Sequence, residues 1–365
     1  MMRQGAFQPN VRGVSSSLPF TPPAGFTPPE GAQGWPRRRP PRLPDRGGLH
    51  PVRVGKRVNV KEARALEGTL AQWMQAHIPR LSPQEIAQAF ARGDVCDAWG
   101  HVLDASTPAR ILEWPVYMYW SAADETTDLP HIPVVYRGDG WLVVNKPKGL
   151  ATQPRGSYVA RTVTVALRRQ EGNANLSPAH RLDRATSGLL LFTERPELRR
   201  PYQELFAQRK VTKLYHAVAE ALPDTPIAGG SDEGVVVTVD PPEKPGWIKV
   251  ASRIEKVERV MVSRIVPGEV NAVTYLRATS HRVMVRGREF RVYEVSPFHG
   301  KTHQIRLHFA ALGAPLVGDP LYGGFNAAPY GEDQVPEGAS PLHLEAVRLE
   351  FIDPQTGKAV SISLP

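Results

Sequence analysis

The fifteen residues from Pro178 to Phe192, PAHRLDRATSGLLLF, constrain this chain more than any other stretch. Thr186-Ser187-Gly188 is a turn signal, and the apolar run Leu189 to Phe192 behind it has the pattern of a strand buried on both faces. A loop clamped to such a strand holds its one carboxylate, Asp183, in a fixed place. Arg181 and Arg184 stand two and one residues away and favour the ionised carboxylate, the form that acts as nucleophile or base. An isolated Arg-x-Asp-Arg is most often a surface salt-bridge cluster, so the weight rests on the stretch as a whole.

With 365 residues, two or three folded units are expected, one of them with a large core. No segment approaches the ~18 uncharged apolar residues of a membrane span. Met1 to Asn10 lack the basic start and apolar stretch of a secretory signal, so a soluble, cytoplasmic protein is expected. The single cysteine, Cys96, can form neither an internal disulfide nor a cysteine-rich zinc site.

The net charge of +9 is unevenly placed. Met1 to Arg57 holds ten Lys/Arg against two acids, so the remainder is about neutral. The same segment has eleven prolines and too little apolar surface to offset its ordering entropy, which predicts a disordered tail over 1–57. Such a tail suits an electrostatic arm for RNA, or a plain solubilising extension.

From Val58 helical periodicity begins. Leu66, Leu70, Trp73, Met74 and Ile78 share a face, and Ser82-Pro-Gln-Glu85 is a capping box with Pro at the first helical position. Ile86, Ala89 and Phe90 continue as a second helix ending near Gly93. Asp94 to Leu103 reads as a hairpin turning near Gly100, and Trp114 to Trp120 as a strand. This small α+β unit, 58–120, is distantly similar to the S4 RNA-binding module, although Pro83 and Gln84 stand where that module carries a phosphate-facing Arg. The polar, acidic segment 121–130 reads as a linker.

The part from 131 to 365 opens with a hairpin, Val134 to Tyr136 and Trp141 to Asn145, turning at Gly138-Asp-Gly140. Thr162 to Arg169 and Pro196 to Gln208 suit helices, and Lys213 to Ala219 a strand. Between 223 and 290 the pattern predicts strands at 234–239, 247–250, 257–265 and 270–278, with another at 290–295. In Gly300 to Gly313, Ile305, His308, Phe309 and Leu312 lie on one helical face, with Thr302 as N-cap and Gly313 as stop. Lys301, Thr302, His303 and Arg306 then surround a helix start suited to a phosphate or a carboxylate. His299 and His303 have no third ligand beside them, so no metal is expected. No nucleotide-binding glycine loop occurs, so no cofactor is expected.

His180-Arg-Leu-Asp-Arg-x-Thr-Ser-Gly-Leu-Leu-Leu-Phe192 resembles the signature of the RluA-type RNA pseudouridine synthases. Leu142 to Gly149, Lys213-Leu-Tyr215, Gly300 to His308 and Gly318-Asp-Pro-Leu-Tyr-Gly323 resemble further family motifs in the same order, over about 131–350. The resemblance implies an α/β (α+β) catalytic domain built on a mixed, mostly antiparallel bent sheet with a central cleft. It implies an isomerase that needs no cofactor and acts on large-subunit ribosomal RNA, tRNA or both; a monomer is expected. Asp183 is the implied catalytic carboxylate, Arg306 the group that pairs with it, and Tyr215 the residue that lies against the detached uracil and helps deprotonate C5. His180, Arg181, Arg184, Lys146, Lys301 and His303 are the expected RNA contacts. The alternatives are an RNA-binding protein of ribosome assembly without catalysis, marked by loss of the Asp, and N-glycoside hydrolysis, marked by release of free uracil.

Overall fold

The sequence folds into two compact units that divide between Ala123 and Asp124. The computed structural model describes residues 43–55, 58–79, 81–119, 129–154, 160–222, 234–257, 262–327, 337 and 339–365. The expected tail over 1–42 and most of the expected linker lie outside these residues.

The first unit contains strands β1 (Val52–Val54), β2 (Val95–Asp97) and β3 (Val116–Met118) and helices α1 (Val60–Arg64), α2 (Leu70–His77) and α3 (Pro83–Ala91). Each helix starts on a complete capping box, Asn59 with Glu62, Thr69 with Gln72 and Ser82 with Glu85. Each box satisfies two N–H groups that the first helical turn leaves open, with about 1 kcal/mol at stake in each cap side chain. Leu70, Met74, Ile86 and Phe90 turn inward and pack with Val95, Ile111 and Val116. The strands form an antiparallel sheet in the order β1-β3-β2.

That sheet corrects the expected tail boundary. β1 lies inside the segment expected to be disordered, pairs with β3 through Val52 to Val54, and Leu43, Leu49 and Val54 are buried. The Tyr119 hydroxyl donates to the Pro44 carbonyl at 2.8 Å. A few well-spaced apolar residues and a partner strand outweigh the average composition of the segment, which the prolines and arginines dominate.

In the second unit, β4 (Val134–Arg137) and β5 (Trp141–Lys146) form the expected opening hairpin, followed by α4 (Val163–Glu171), β6 (Ser177–Pro178) and β7 (Ser187–Thr193). Next come α5 (Arg199–Ala207), β8 (Thr212–Ala219), β9 (Val235–Val239), β10 (Ile248–Lys256), β11 (Ser263–Val266), β12 (Ala272–Val285) and β13 (Arg288–Pro297). The chain closes with α6 (Gln304–Ala311), β14 (Leu344–Ile352) and β15 (Ala359–Ser363). The main path of the sheet runs β11-β10-β12-β13-β8-β14-β7-β5-β4, with β15, β6 and β9 attached to β14, β7 and β10. Among these described strands every pairing is antiparallel except β14 with β7.

β7 is buried along its whole length, as its apolar run requires. Successive residues serve opposite faces of the sheet. Leu190 and Phe192 join Val163, Leu167, Ile305 and Phe309 of α4 and α6, while Leu189 and Leu191 join Tyr202 and Leu205 of α5. The sheet centre therefore lies between helical layers, and the strand behind Asp183 cannot shift without disturbing two cores. Gly188 permits the parallel pairing: its φ of +107° suits glycine, and a Cβ there would collide with the backbone of Ala346.

Candidate active site

Asp183 lies in the loop between β6 and β7, and that loop is fixed through its backbone. The Thr152 hydroxyl donates to the Leu182 carbonyl at 2.8 Å and accepts from the Leu182 N–H at 3.2 Å. Gly149 N donates to Arg184 O at 3.0 Å, and Thr186 N to Asp183 O at 3.1 Å. Beneath them, Lys146 Nζ donates to the carbonyls of Pro147, Arg184 and Thr186 at 2.9, 3.0 and 2.7 Å. Three acceptors require three N–H donors, which only the ammonium form supplies. Burial pushes that ammonium down to about 7, opposed by the charge of Asp183.

The expected RNA-contact role of Lys146 is therefore corrected, because the side chain is 0% exposed and committed to the loop. His180 is corrected for a similar reason. It stacks on Phe206 with ring centroids 4.1 Å apart and accepts the Leu191 N–H at Nε2, 3.2 Å away. Burial, then Lys213, pushes its imidazole down to about 3, so it is neutral and cannot attract a phosphate.

The residues expected at the site come together with three exceptions. Asp183, Tyr215, Arg306, Arg181, Lys301 and His303 line one cleft, whereas His180 and Lys146 are structural and Arg184 stands outside the lining. The cleft encloses about 580 Å³ of empty space, the open solvent at its mouth included. Tyr215 projects from β8, paired with Val295 of β13 and Ala346 of β14. Burial, with the charge of Asp183, pushes its phenol above the ordinary value of 10, so it stays protonated at neutral pH.

The opposite wall is the start of α6. His303, not the expected Thr302, is the N-cap, with φ 59° in the left-handed region. Gln304 locks this turn by donating to Val273 O and Thr274 Oγ1, both at 2.9 Å, and by accepting from Lys301 N at 3.1 Å. Arg306 differs from expectation. Its Nε and Nη2 donate to the two oxygens of Asp319 at 2.8 and 2.6 Å, so its hydrogen bonds run to Asp319 rather than to Asp183. Both side chains of this pair are nearly inaccessible. Burial works against the Arg306 charge, but Asp319, and Asp183 behind it, outweigh that and hold the guanidinium above its ordinary value. Asp319 is placed by Gly318, whose φ of +75° and close approach to the Pro341 carbonyl exclude a side chain.

His303 connects the walls. The Tyr322 hydroxyl donates to Ser263 O at 3.1 Å and accepts from Ser263 N at 3.0 Å. The same hydroxyl lies 2.9 Å from His303 Nδ1. The other ring nitrogen, Nε2, faces Asp183 Oδ2, 3.9 Å away. Burial lowers the His303 pKa, against the raising influence of Asp183.

Lys213, Gln304, Asp319 and Tyr322 were not singled out as site residues from the sequence. A usable signal existed for Lys213: on a strand it shares a face with Tyr215, two residues on. It lines the cleft, and burial pushes it down to about 8.

The RNA pseudouridylate synthase family profile matches residues 140–311, a span that contains both cleft walls up to α6. An RNA pseudouridine synthase of Helicobacter pylori strain J99, itself named uncharacterized, is 30% identical over 220 residues, covering 60% of this chain and 68% of the relative. The ribosomal large subunit pseudouridine synthase D of Xanthomonas campestris pv. campestris is 30% identical over 246 residues, 65% of this chain and 66% of its own length. The tRNA pseudouridine synthase C of Haemophilus ducreyi is 28% identical over 233 residues, 64% of this chain and 90% of its own. The chain belongs to the RluA-type family of RNA pseudouridine synthases. It is an isomerase whose reaction exchanges the N1 link of a uracil to its ribose for a link through C5.

Proposed function

We propose that this enzyme isomerises particular uridines in large-subunit ribosomal RNA or tRNA, with Asp183 as the group that engages the sugar. Relatives named for each of these RNA classes support both substrates. Among the described residues no helix is long and apolar enough to cross a membrane. One chain supplies both cleft walls, which supports an enzyme that works on RNA as a monomer.

The observation that carries the reading is a partly exposed carboxylate, 22% accessible, at the bottom of a cleft and held by a loop with almost no freedom. The target bond is inaccessible in a stacked helix, so the uridine enters the cleft flipped. Asp183 then attacks C1′ or removes the C2′ proton, and the N1–C1′ bond breaks. The uracil turns and C5 bonds to C1′, which releases the Asp183 oxygen from C1′ or takes the abstracted proton back at C2′; N1 gains a proton and C5 loses one. No atom enters or leaves overall. Arg306 lines the cleft with its hydrogen bonds committed to Asp319, so it leaves the Asp183 oxygens untied. Tyr215, as a protonated phenol, supplies a wall and a donor for the detached base, and its protonation state argues against the expected role in taking the C5 proton. His303 Nε2 lies 3.9 Å from Asp183 Oδ2 in the same cleft. Arg181 and Lys301, both exposed, and Arg184 beside the loop are the cations suited to phosphates.

The test maps pseudouridine at single-nucleotide resolution in total RNA from cells lacking the gene, with wild type or Asp183→Asn restored. One or a few uridines lose the modification in the deletion, and wild type alone returns it. Full restoration by the Asp183 variant would remove this residue from the chemistry.

A further inference from the structure

On the rim of the cleft, one aromatic ring faces water. Phe298 is 50% exposed, although its neighbours Pro297 and His299 both line the cleft. Its backbone is not loose. Phe298 N donates to Val273 O at 2.9 Å, and His299 Nδ1 accepts from Val273 N at 3.0 Å, so β12 holds both residues. The ring is therefore presented to solvent by a fixed support.

Cations reach the same corner from three elements. Arg209, in the turn after α5, has φ 60°, a backbone region that costs a non-glycine residue energy and is kept where its surroundings enforce it. Its guanidinium lies over the Phe298 ring, 5.3 Å from the centroid. Lys213 of β8 donates from Nζ to the His299 carbonyl at 3.3 Å. Lys301, exposed, follows two residues after His299. Their convergence is visible in His299, whose pKa is lowered by burial and then by Arg209, Lys301 and Lys213, with no carboxylate among the opposing groups. With Nδ1 already accepting a backbone N–H, His299 is neutral and adds no charge of its own.

An exposed aromatic face beside a cluster of cations, one residue from a cleft that takes a flipped base, has the composition of a single-strand nucleotide site. We propose that Phe298 and Arg209 form a subsite for the nucleotide adjoining the target uridine in the bound RNA. The base of that nucleotide takes the place of the Arg209 guanidinium over the Phe298 ring, and the guanidinium, with Lys301, takes its phosphate. Flipping a uridine separates its neighbours from it and leaves one of them without a stacking partner on that side; Phe298 replaces the lost stack. The subsite rests on the reading of the cleft as a uridine site and adds to it a contact that is made before chemistry and persists through it.

The experiment uses an RNA that the wild-type enzyme converts, so wild-type turnover separates failure of the subsite from failure of the synthase reading. Phe298→Ala raises KM about tenfold or more and leaves kcat within about twofold, as expected for one lost base stack. Phe298→Trp keeps the wild-type KM and Phe298→Leu does not, because the ring face and not merely apolar area is used. Replacing the adjoining nucleotide by an abasic residue costs wild type the same factor and costs Phe298→Ala nothing more. Arg209→Gln lowers the slope of log affinity against log salt by about 0.7, one single-strand phosphate contact. An unchanged KM in Phe298→Ala overturns the proposal. So does a leucine as good as phenylalanine, or an abasic penalty that adds in full to that of Phe298→Ala. Since the ring is exposed, a matching thermal melt for each variant is the control for folding.

Discussion

The wall that carries Asp183 and the wall that carries Arg306 are held by different means. On the first, backbone groups of residues 182, 184 and 186 are tied down by Thr152, Gly149 and the buried Lys146, and Asp183 O accepts from Thr186 N within the loop. The Asp183 side chain carries none of these ties and remains available to substrate. On the second, side chains hold side chains: Arg306 with Asp319, and His303 with Tyr322. The Asp183 carboxylate can therefore be exchanged without loosening its support. On the second, the side chains that line the cleft are themselves part of the support.

The largest expected effect isolates the first wall. Asp183→Asn preserves shape and every backbone tie, so the melting curve stays at the wild-type position while turnover falls roughly 10⁴-fold or more. A chemical-denaturation midpoint well below wild type would mean that the side chain supports its own loop after all.

On the second wall the same kind of change acts on stability. Asp319→Ala leaves Arg306 as a buried, unpaired cation, at a cost of about 3–5 kcal/mol in urea unfolding. Replacing both, as Arg306→Met with Asp319→Leu, recovers most of that loss but not the turnover. A double variant as unstable as Asp319→Ala would show that the wall depends on the ion pair itself and not on avoiding a lone charge.

Lys146→Met is intermediate. It removes a buried charge and takes a donor from three carbonyls, of which Arg184 O keeps the Gly149 N–H, with about 1–3 kcal/mol at stake for each group that finds no new partner. We expect kcat to fall more than tenfold with KM little changed, because the loop and not the RNA loses its support. A rise in KM alone would return Lys146 to the RNA contacts.

The smallest effect compares the walls through acid. His180, packed on α5 behind the Asp183 wall, and His308, within α6, are each pushed by burial down to about 3 from an ordinary 6.5. Between those values the unfolded chain binds protons that the folded chain refuses. Their contribution is complete above about pH 6.5 and is lost as the pH falls toward 3, at about 1.4 kcal/mol per pH unit for each histidine. His308→Gln, which keeps a partner for the Ser252 hydroxyl, should flatten the acid slope of stability by one histidine's share. An unchanged slope would mean that His308 is charged in the folded protein.

The same division decided how much could be read in advance. The Asp183 loop, the buried strand behind it, the opening hairpin and the α3 cap are local patterns, and their residues lie within a few positions of one another. The partner of Arg306 stands 13 residues away, and Ser263, at the end of the Tyr322 and His303 chain, lies in the Val- and Pro-rich insertion. Nothing in spacing joins such groups. Lys146 and His180 misled for another reason: a cation or an imidazole beside a catalytic motif looks like a phosphate contact until burial is known. β1 escaped because composition averaged over 57 residues hides three that pair.

The parallel pairing of β7 with β14 sets a schedule for synthesis. Ser187 meets Glu345 across 158 residues, so the strand directly behind the catalytic loop lacks one of its neighbours until almost the whole catalytic unit has been made. Contacts that distant close slowly and late. A nascent chain can therefore close the sheet behind Asp183 only after Glu345 and Ala346 have been made.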